Sequence, residues 1–555
     1  MTMATQFVDK SPAEMLYHWE KETPNKVFLR QPFEGQIREY TWKDVCDQAR
    51  RMATAMQQMG IKEGDVVCIT GKNTAHWLMA DFASMMIGAV TVGLYPKLST
   101  EHASYILNHC EAKVVFLGPQ EDLNPLLAGI PAGVQKISFP YKGVHGGDHD
   151  WDTLVGSHQP LEGNPTYSED RMWTLIYTSG TTGNPKGVAL SGEAVNFCAR
   201  GLLEVIGPSG NERLFSYLPL AHIFERGAVE LFALYGNAEV TFLEDVRNFA
   251  KELAAVAPTR FVAVPVIWAK FQNGILQKMP QEKLEKLTRI PILSGFIKKK
   301  IKTGLGLQNS KLCLTGAAPI PKSTLEWFDK YLDLQIYQGW GMSENTAYAT
   351  VTLPGANRWG SVGKPMPRSE VKIAENGEIL TRSKANMMGY YKEPEKTAEC
   401  IDADGWIHTG DKGSFDEDGF LYITGRVKDI FKTAKGKYIA PAPIEGALSQ
   451  DTHLEIVSLM GAGMNQPVAI AVLSEAGMKA SKEQVEKSVE ATMEAMNKTL
   501  EAHEKVQAVI ISKELWTPDN GMLTPTMKTK RNVVEERYGD LIQQADAGSA
   551  KVIWE

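Results

Sequence analysis

The chain has 555 residues, 43% hydrophobic and 23% charged, enough for three or four compact units or one large unit with a smaller one. Those fractions exclude a disordered chain. With 59 Lys and Arg against 66 Asp and Glu, the formal charge of −7 argues against nucleic acid as a main partner, though a local basic patch can still hold a phosphate.

The first fifteen residues carry acids and lack the apolar core of a signal peptide. Residues 77–95 are the most apolar stretch, but Asp81, Ser84, Gly88 and Gly93 interrupt it. A bilayer span needs about 20 apolar residues with few charges, so a buried helix followed by a strand is expected, in a soluble, cytoplasmic protein. Cys46, Cys68, Cys110, Cys198, Cys313 and Cys400 are scattered with no CxxC pair, which fits free thiols in a reducing compartment.

Up to about residue 340, short apolar runs alternate with amphipathic helical segments. Strands are expected at 65–69, 89–95, 113–118, 174–178, 214–218, 239–243, 260–264, 311–315 and 334–338, with helices between most of them. That alternation predicts an α/β fold of parallel sheets covered on both faces. The Gly/His/Asp-rich stretch at 143–165 is expected to separate two layered subdomains. After about 360, NGEILTR, DGWIHTGD and EDGFLYITGR read as strands joined by Asn-Gly and Asp-Gly turns. Beyond Arg426 come strands IVSLM and VAIAVLS, a charged helix from about 481 to 504 and strand VQAVIIS. These predict a large domain over 1–426, containing a small β subdomain, and a small mobile α+β domain over 427–555.

YTSGTTGNPKG at 177–187 is the strongest local signal. It follows a predicted strand and packs glycines, hydroxyls and Lys186 into one turn, chemistry suited to cradling phosphate oxygens. It is not the G-x-x-x-x-G-K-[ST] loop, because Gly187 follows Lys186. On composition alone a Gly/Ser/Thr surface loop would look similar.

The segment resembles the phosphate-binding signature of the adenylate-forming superfamily, which includes acyl-CoA synthetases, luciferases and peptide-synthetase adenylation domains. LPLAHIFER (218–226), GAAP (316–319), YQGWGMSE (337–344), WIHTGD (406–411), GRVKDIFKTAKGKYIAP (425–441) and LTPTMKTKR (523–531) follow in the superfamily's order. The forms LPLAHIFER, GKYIAP and LTPTMKTKR look most like long-chain fatty acyl-CoA synthetases. The resemblance implies that a carboxylate attacks the α-phosphorus of ATP, expelling pyrophosphate, and that a thiol, CoA, then displaces AMP. Such chemistry rests on positioning and charge neutralisation.

By the same resemblance, Thr178, Ser179, Gly180, Thr181, Thr182, Gly183 and Lys186 hold the β- and γ-phosphates. Gly316, Ala317, Ala318, Gly339, Trp340 and Gly341 belong to the nucleotide site, with Trp340, where tyrosine is common, stacking on adenine. Ser343 meets the α-phosphate, and Glu344 binds Mg²⁺, a hard cation suited to carboxylate and phosphate oxygens. Asp411 accepts the ribose hydroxyls, Arg426 is a second ribose and phosphate contact, and Lys428 sits at the hinge. Lys528 matches the lysine that bridges the substrate carboxylate and the α-phosphate, with Lys530 the one-step alternative. A lone histidine is more often structural, but His222 is placed near the carboxylate and the thiol channel, as a positioning group rather than a general base.

The acyl pocket is expected from 262–272, Gly316–Ala318 and the run after Glu344; chain length is not legible, since one methylene changes affinity only modestly. The segment 286–307 mixes apolar residues with Lys298, Lys299, Lys300 and Lys302. It reads as a solvated helix, with a peripheral membrane-surface element as the alternative. The expected small-molecule partners are ATP, a medium- to long-chain fatty acid and CoA. A carrier-protein acceptor, or a catalytically dead nucleotide-binding scaffold, are the competing readings.

Overall fold

A computed structural model describes residues 10–178, 184–207, 211–517, 520–524 and 528–555. Its largest sheet has eight strands. Met172–Thr178, Val90–Gly93, Val66–Ile69, Ala112–Leu117, Gln135–Ser138 and His149–Asp150 run parallel. Lys186–Ser191 and then Gly389–Tyr390 add antiparallel strands at one side. Val66–Ile69 and Val90–Gly93 are buried at every residue, because helices cover both faces, and this is why they read as unbroken apolar runs.

The helix Ala75–Met86 is likewise buried along its whole length and is N-capped by Thr74. Beside it, Trp42–Gln58 has a polar outer face and buries Val45, Cys46, Ala49, Met52, Ala53 and Met56 at helical spacing. Its start is fixed by a capping box, with the Thr41 hydroxyl and the Asp44 carboxylate bonding each other's backbone amides. The apolar stretch at 77–95 is thus a core helix and strand. No helix among the described residues is long and apolar enough to cross a membrane. All six cysteines are free thiols.

The stretch at 143–165 does not separate two subdomains as expected. Met172–Thr178 lies after it, yet hydrogen-bonds to Val90–Gly93 in the same sheet. The second sheet is assembled from distant parts of the chain: Arg213–Ser216, Glu239–Phe242, Val27–Phe33 and Gln36–Thr41. A third sheet holds Arg260–Ala263, Leu312–Thr315 and Ile336–Trp340 in parallel, then two short antiparallel strands. Strand order across a sheet is set by long-range packing, which local patterning does not encode.

The β-rich region after 360 is an antiparallel sheet of Glu370–Ile373, Glu378–Arg382, Ile407–Phe415 and Leu421–Arg426. Its tight turns use left-handed glycines where the sequence places Asn-Gly and Asp-Gly, with φ of +82° at Gly377 and +79° at Gly419. After it come the hairpin Phe431–Lys432/Tyr438–Ile439 and a four-stranded sheet backed by Lys482–Asn497 and Arg531–Ala547. The charged helix ends at Asn497, not near 504, and residues 501–504 form a turn.

Candidate active site

The parallel strands of the first and third sheets, the antiparallel sheet after 360 and the loop before Arg531–Ala547 bring distant residues to one cleft. Thr178 and Lys186 face each other across the hairpin that ends Met172–Thr178. Ser179, Gly180, Thr181, Thr182 and Gly183, between them, lie outside the described residues. The Lys186 ammonium sits 4.6 Å from the centroid of the Tyr390 ring. Tyr390 occupies the strand paired with Lys186–Ser191, opposite Val188, so the sheet register holds its ring beside that lysine.

Tyr390 was not singled out from the sequence. Its Oη donates to Glu344 Oε1 at 2.8 Å, and burial, with the Glu344 charge next, pushes the phenol well above its usual range. It therefore remains a donor at any working pH. Glu344 is 8% exposed, on the 3₁₀ turn Ser343–Asn345 that follows strand Ile336–Trp340. Its Oε2 accepts no hydrogen bond among the described residues, so one oxygen is oriented and the other is available to a cation. No cluster of three His, Cys, Asp or Glu side chains suited to a metal occurs among the described residues.

Gly316 follows strand Leu312–Thr315, and a Cβ there would lie 3.0 Å from the Gly339 carbonyl and 3.4 Å from the Phe224 ring. The close approach brings Gly316, Ala317 and Ala318 against the end of the neighbouring strand. Ala317 adopts φ of +66°, uncommon for a residue with a Cβ. Gly341 is equally constrained, because a Cβ would meet the Ala347 backbone at 2.6 Å.

Asp411 and Arg426 are directly opposed across two antiparallel strands, and Arg426 Nε donates to Asp411 Oδ1 at 2.8 Å. The other carboxylate oxygen accepts from Trp340 Nε1 at 2.9 Å. The tryptophan thus orients Asp411, an interaction that the motif alone did not reveal.

His222 caps the short helix Ile223–Glu225 through its ring, with Nδ1 accepting from the Phe224 amide at 3.1 Å. Burial, aided by the Lys528 charge, lowers its pKa to about 4. A neutral ring whose Nδ1 accepts must carry its proton on Nε2, so His222 is a donor. Just after it the chain makes a π-helical turn, Arg226–Leu231. Arg226 is wholly buried, bonded to Asp81 at 2.6 Å, Glu230 at 2.9 Å and the Thr174 hydroxyl at 3.0 Å. It ties the His222 segment to the strand leading to Thr178.

Lys528 enters the cleft from the small domain. Its side chain is exposed. Desolvation, with the Arg426 charge next, lowers its pKa, while Asp411 and Glu344 oppose that shift. Its position is set by the exchange of hydrogen bonds with Thr524 at 2.8 and 3.1 Å. Lys530 instead lies at the start of Arg531–Ala547, where its amide bonds the Met522 carbonyl. Arg531 is engaged by Glu445 at 2.7 Å and the Leu459 carbonyl at 3.0 Å, anchoring this loop to the small domain. Lys428 is exposed, just beyond strand Leu421–Arg426.

Comparison with known proteins gives a consistent result. The profile of the AMP-binding enzyme family matches residues 16–391, and that of the AMP-binding enzyme C-terminal domain matches 428–549. Long-chain-fatty-acid–CoA ligase 1 of Homo sapiens is 30% identical, the match covering 90% of this chain and 81% of that protein. Long-chain-fatty-acid–CoA ligase FadD15 of Mycobacterium bovis is 28% identical, with 96% of each covered. The crystal structure of the anthranilate CoA ligase AuaEII with anthranoyl-AMP superposes with a TM-score of 0.78 at 21% identity, covering 97% of this chain and 99% of that one.

Proposed function

The chain belongs to the AMP-binding enzyme family, and from that premise we propose that it is a fatty acid–CoA ligase acting on a medium- to long-chain acid. The observation that carries the reading is the convergence on Lys528 of Glu344, Asp411, Arg426 and His222, from separate parts of the fold. The relatives named above, 28% and 30% identical, support the fatty acyl substrate.

In the first step a substrate carboxylate oxygen attacks the α-phosphorus; the new O–P bond forms as the bond to the β-phosphate oxygen breaks and pyrophosphate leaves. Thr178, the following loop and Lys186 take the phosphates, and Ser343 the α-phosphate. Trp340 flanks the adenine with Gly316, Ala317, Ala318, Gly339 and Gly341, and Asp411, oriented by Trp340 and Arg426, accepts the ribose hydroxyls. Lys528 neutralises charge where carboxylate and α-phosphate meet. His222, a neutral donor, orients the carboxylate. Glu344 would hold Mg²⁺, which when bound offsets the phosphate charge. In the second step a thiolate attacks the acyl carbon, the thioester bond forms, the C–O bond to AMP breaks, and the thiol proton is lost to solvent.

The small domain, 427–555, pivots at Lys428 between the two steps. The test is a panel of fatty acids of increasing length with ATP and Mg²⁺, measuring pyrophosphate and thioester with and without CoA. Acid- and CoA-dependent thioester is expected. Acid-dependent AMP with no thioester would transfer the reading to a carrier-protein acceptor, and no consumption of ATP would refute both.

A further inference from the structure

The helical hairpin Gln281–Thr288/Pro291–Gly304 lies apart from the cleft residues and presents an unusual surface. Its inner side is anchored: Leu284 is fully buried, and Ile297, Ile301 and Leu305 pack on the cluster containing Trp268 and Phe328. Lys298 pairs with Asp333 at 2.7 Å. The outer side has no such partners. Ile290, Ile292, Leu293 and Phe296 are 52%, 91%, 38% and 65% exposed, so four of the eleven exposed large hydrophobics among the described residues fall within seven positions. Nothing in the second helix is fully buried.

Charge is arranged around that apolar tip. Residues 281–304 hold seven basic and two acidic side chains, a net of +5 in a chain whose total is −7. Lys283, Lys286, Lys299 and Lys300 are exposed and make no ion pair among the described residues. Helical spacing aligns Ile292, Phe296 and Lys299–Lys300 in one outward stripe, apolar at the start of the helix and basic beyond it.

We propose that this hairpin docks the protein on an anionic lipid bilayer, with Ile290, Ile292, Leu293 and Phe296 entering the interface and the lysines meeting the headgroup phosphates. A helix of 14 residues is too short to span a bilayer but suits an interfacial position. A second copy of the chain is a poorer occupant, since a twofold contact would set one +5 surface against another. The contact would present the enzyme to lipid-borne acid, a benefit that rests on the fatty acid reading, whereas the docking itself does not.

The test is flotation of the full-length protein with phosphatidylcholine vesicles, with and without phosphatidylglycerol, at low and high salt and with no acid or ATP. Binding to the anionic vesicles is expected, weakened by salt. Ile292→Ser with Phe296→Ser, and separately Lys299→Glu with Lys300→Glu, should each reduce partitioning at least about tenfold. Lys487→Glu with Lys498→Glu, on the small domain, should preserve most of it. Unchanged pyrophosphate release with a monomerically dissolved acid shows that the hairpin variants are folded. Failure of the wild type to float, or equal flotation of the hairpin variants, overturns the proposal and leaves the ligase reading untouched. So does a wild-type dimer in sedimentation that Ile292→Ser with Phe296→Ser disperses, because the occupant would then be a second copy. Flotation without turnover of any fatty acid would keep the docking and remove the fatty acid reading.

Discussion

Replacing Tyr390 by phenylalanine removes one hydroxyl and keeps the ring beside Lys186. The lost group donates to Glu344 Oε1 at 2.8 Å, where the carboxylate is 8% exposed and has no other side-chain donor among the described residues. A hydrogen bond to a charged group contributes about 1.5–3 kcal/mol, which corresponds to about 13- to 160-fold in kcat/KM if Glu344 acts in the transition state. Because Glu344 is the proposed Mg²⁺ ligand, the defect should appear as a raised Mg²⁺ requirement, with KM for the acid little changed. Tyr390→Leu also removes the ring and with it a cation–π contact of about 0.5–1 kcal/mol, a further two- to fivefold or so. Steady-state pyrophosphate release across a Mg²⁺ titration measures both, with thermal melts to confirm folding. A folded Tyr390→Phe enzyme with wild-type rate and wild-type Mg²⁺ dependence would refute the reasoning.

The remaining predictions concern the lysine, the buried ion cluster and pH. Lys528→Ala should cripple adenylation but largely spare thioester formation from supplied acyl-adenylate; single-turnover assays of each half-reaction decide this, and equal loss of both would mean its role is misread. Arg226→Met leaves Asp81 and Glu230 buried without their cation and should cost about 3–5 kcal/mol of stability, less at acid pH where a carboxyl can take up a proton, as thermal melts across pH would show. His222 has its pKa lowered from 6.5 to about 4, so as pH falls through that window the unfolded chain binds the proton first and stability declines; His222→Asn, able to keep the cap, should lessen that decline in melts. Burial raises Glu225 from 4.5 to about 8, so the folded chain holds a proton that the unfolded chain releases, and stability falls as pH rises between those values; Glu225→Gln should flatten this loss.

The sequence by itself determined the local elements and the chemistry-bearing turns. Fully buried parallel strands such as Val66–Ile69 are written as apolar runs, and Asn-Gly and Asp-Gly turns as hairpins, because burial and left-handed φ constrain residue type at each position. Asp411 and Arg426 were legible only through the resemblance of their motifs to those of a known family. Only the tertiary structure decided what lies between distant segments: that Val27–Phe33 joins Glu239–Phe242, that Tyr390 links Lys186 to Glu344, and that Trp340 donates to Asp411. It also decided which face of Pro291–Gly304 is anchored and which is open. A side chain's own pattern records whether it is buried, but its partner is fixed by strand order and packing across the whole chain, which no local window contains.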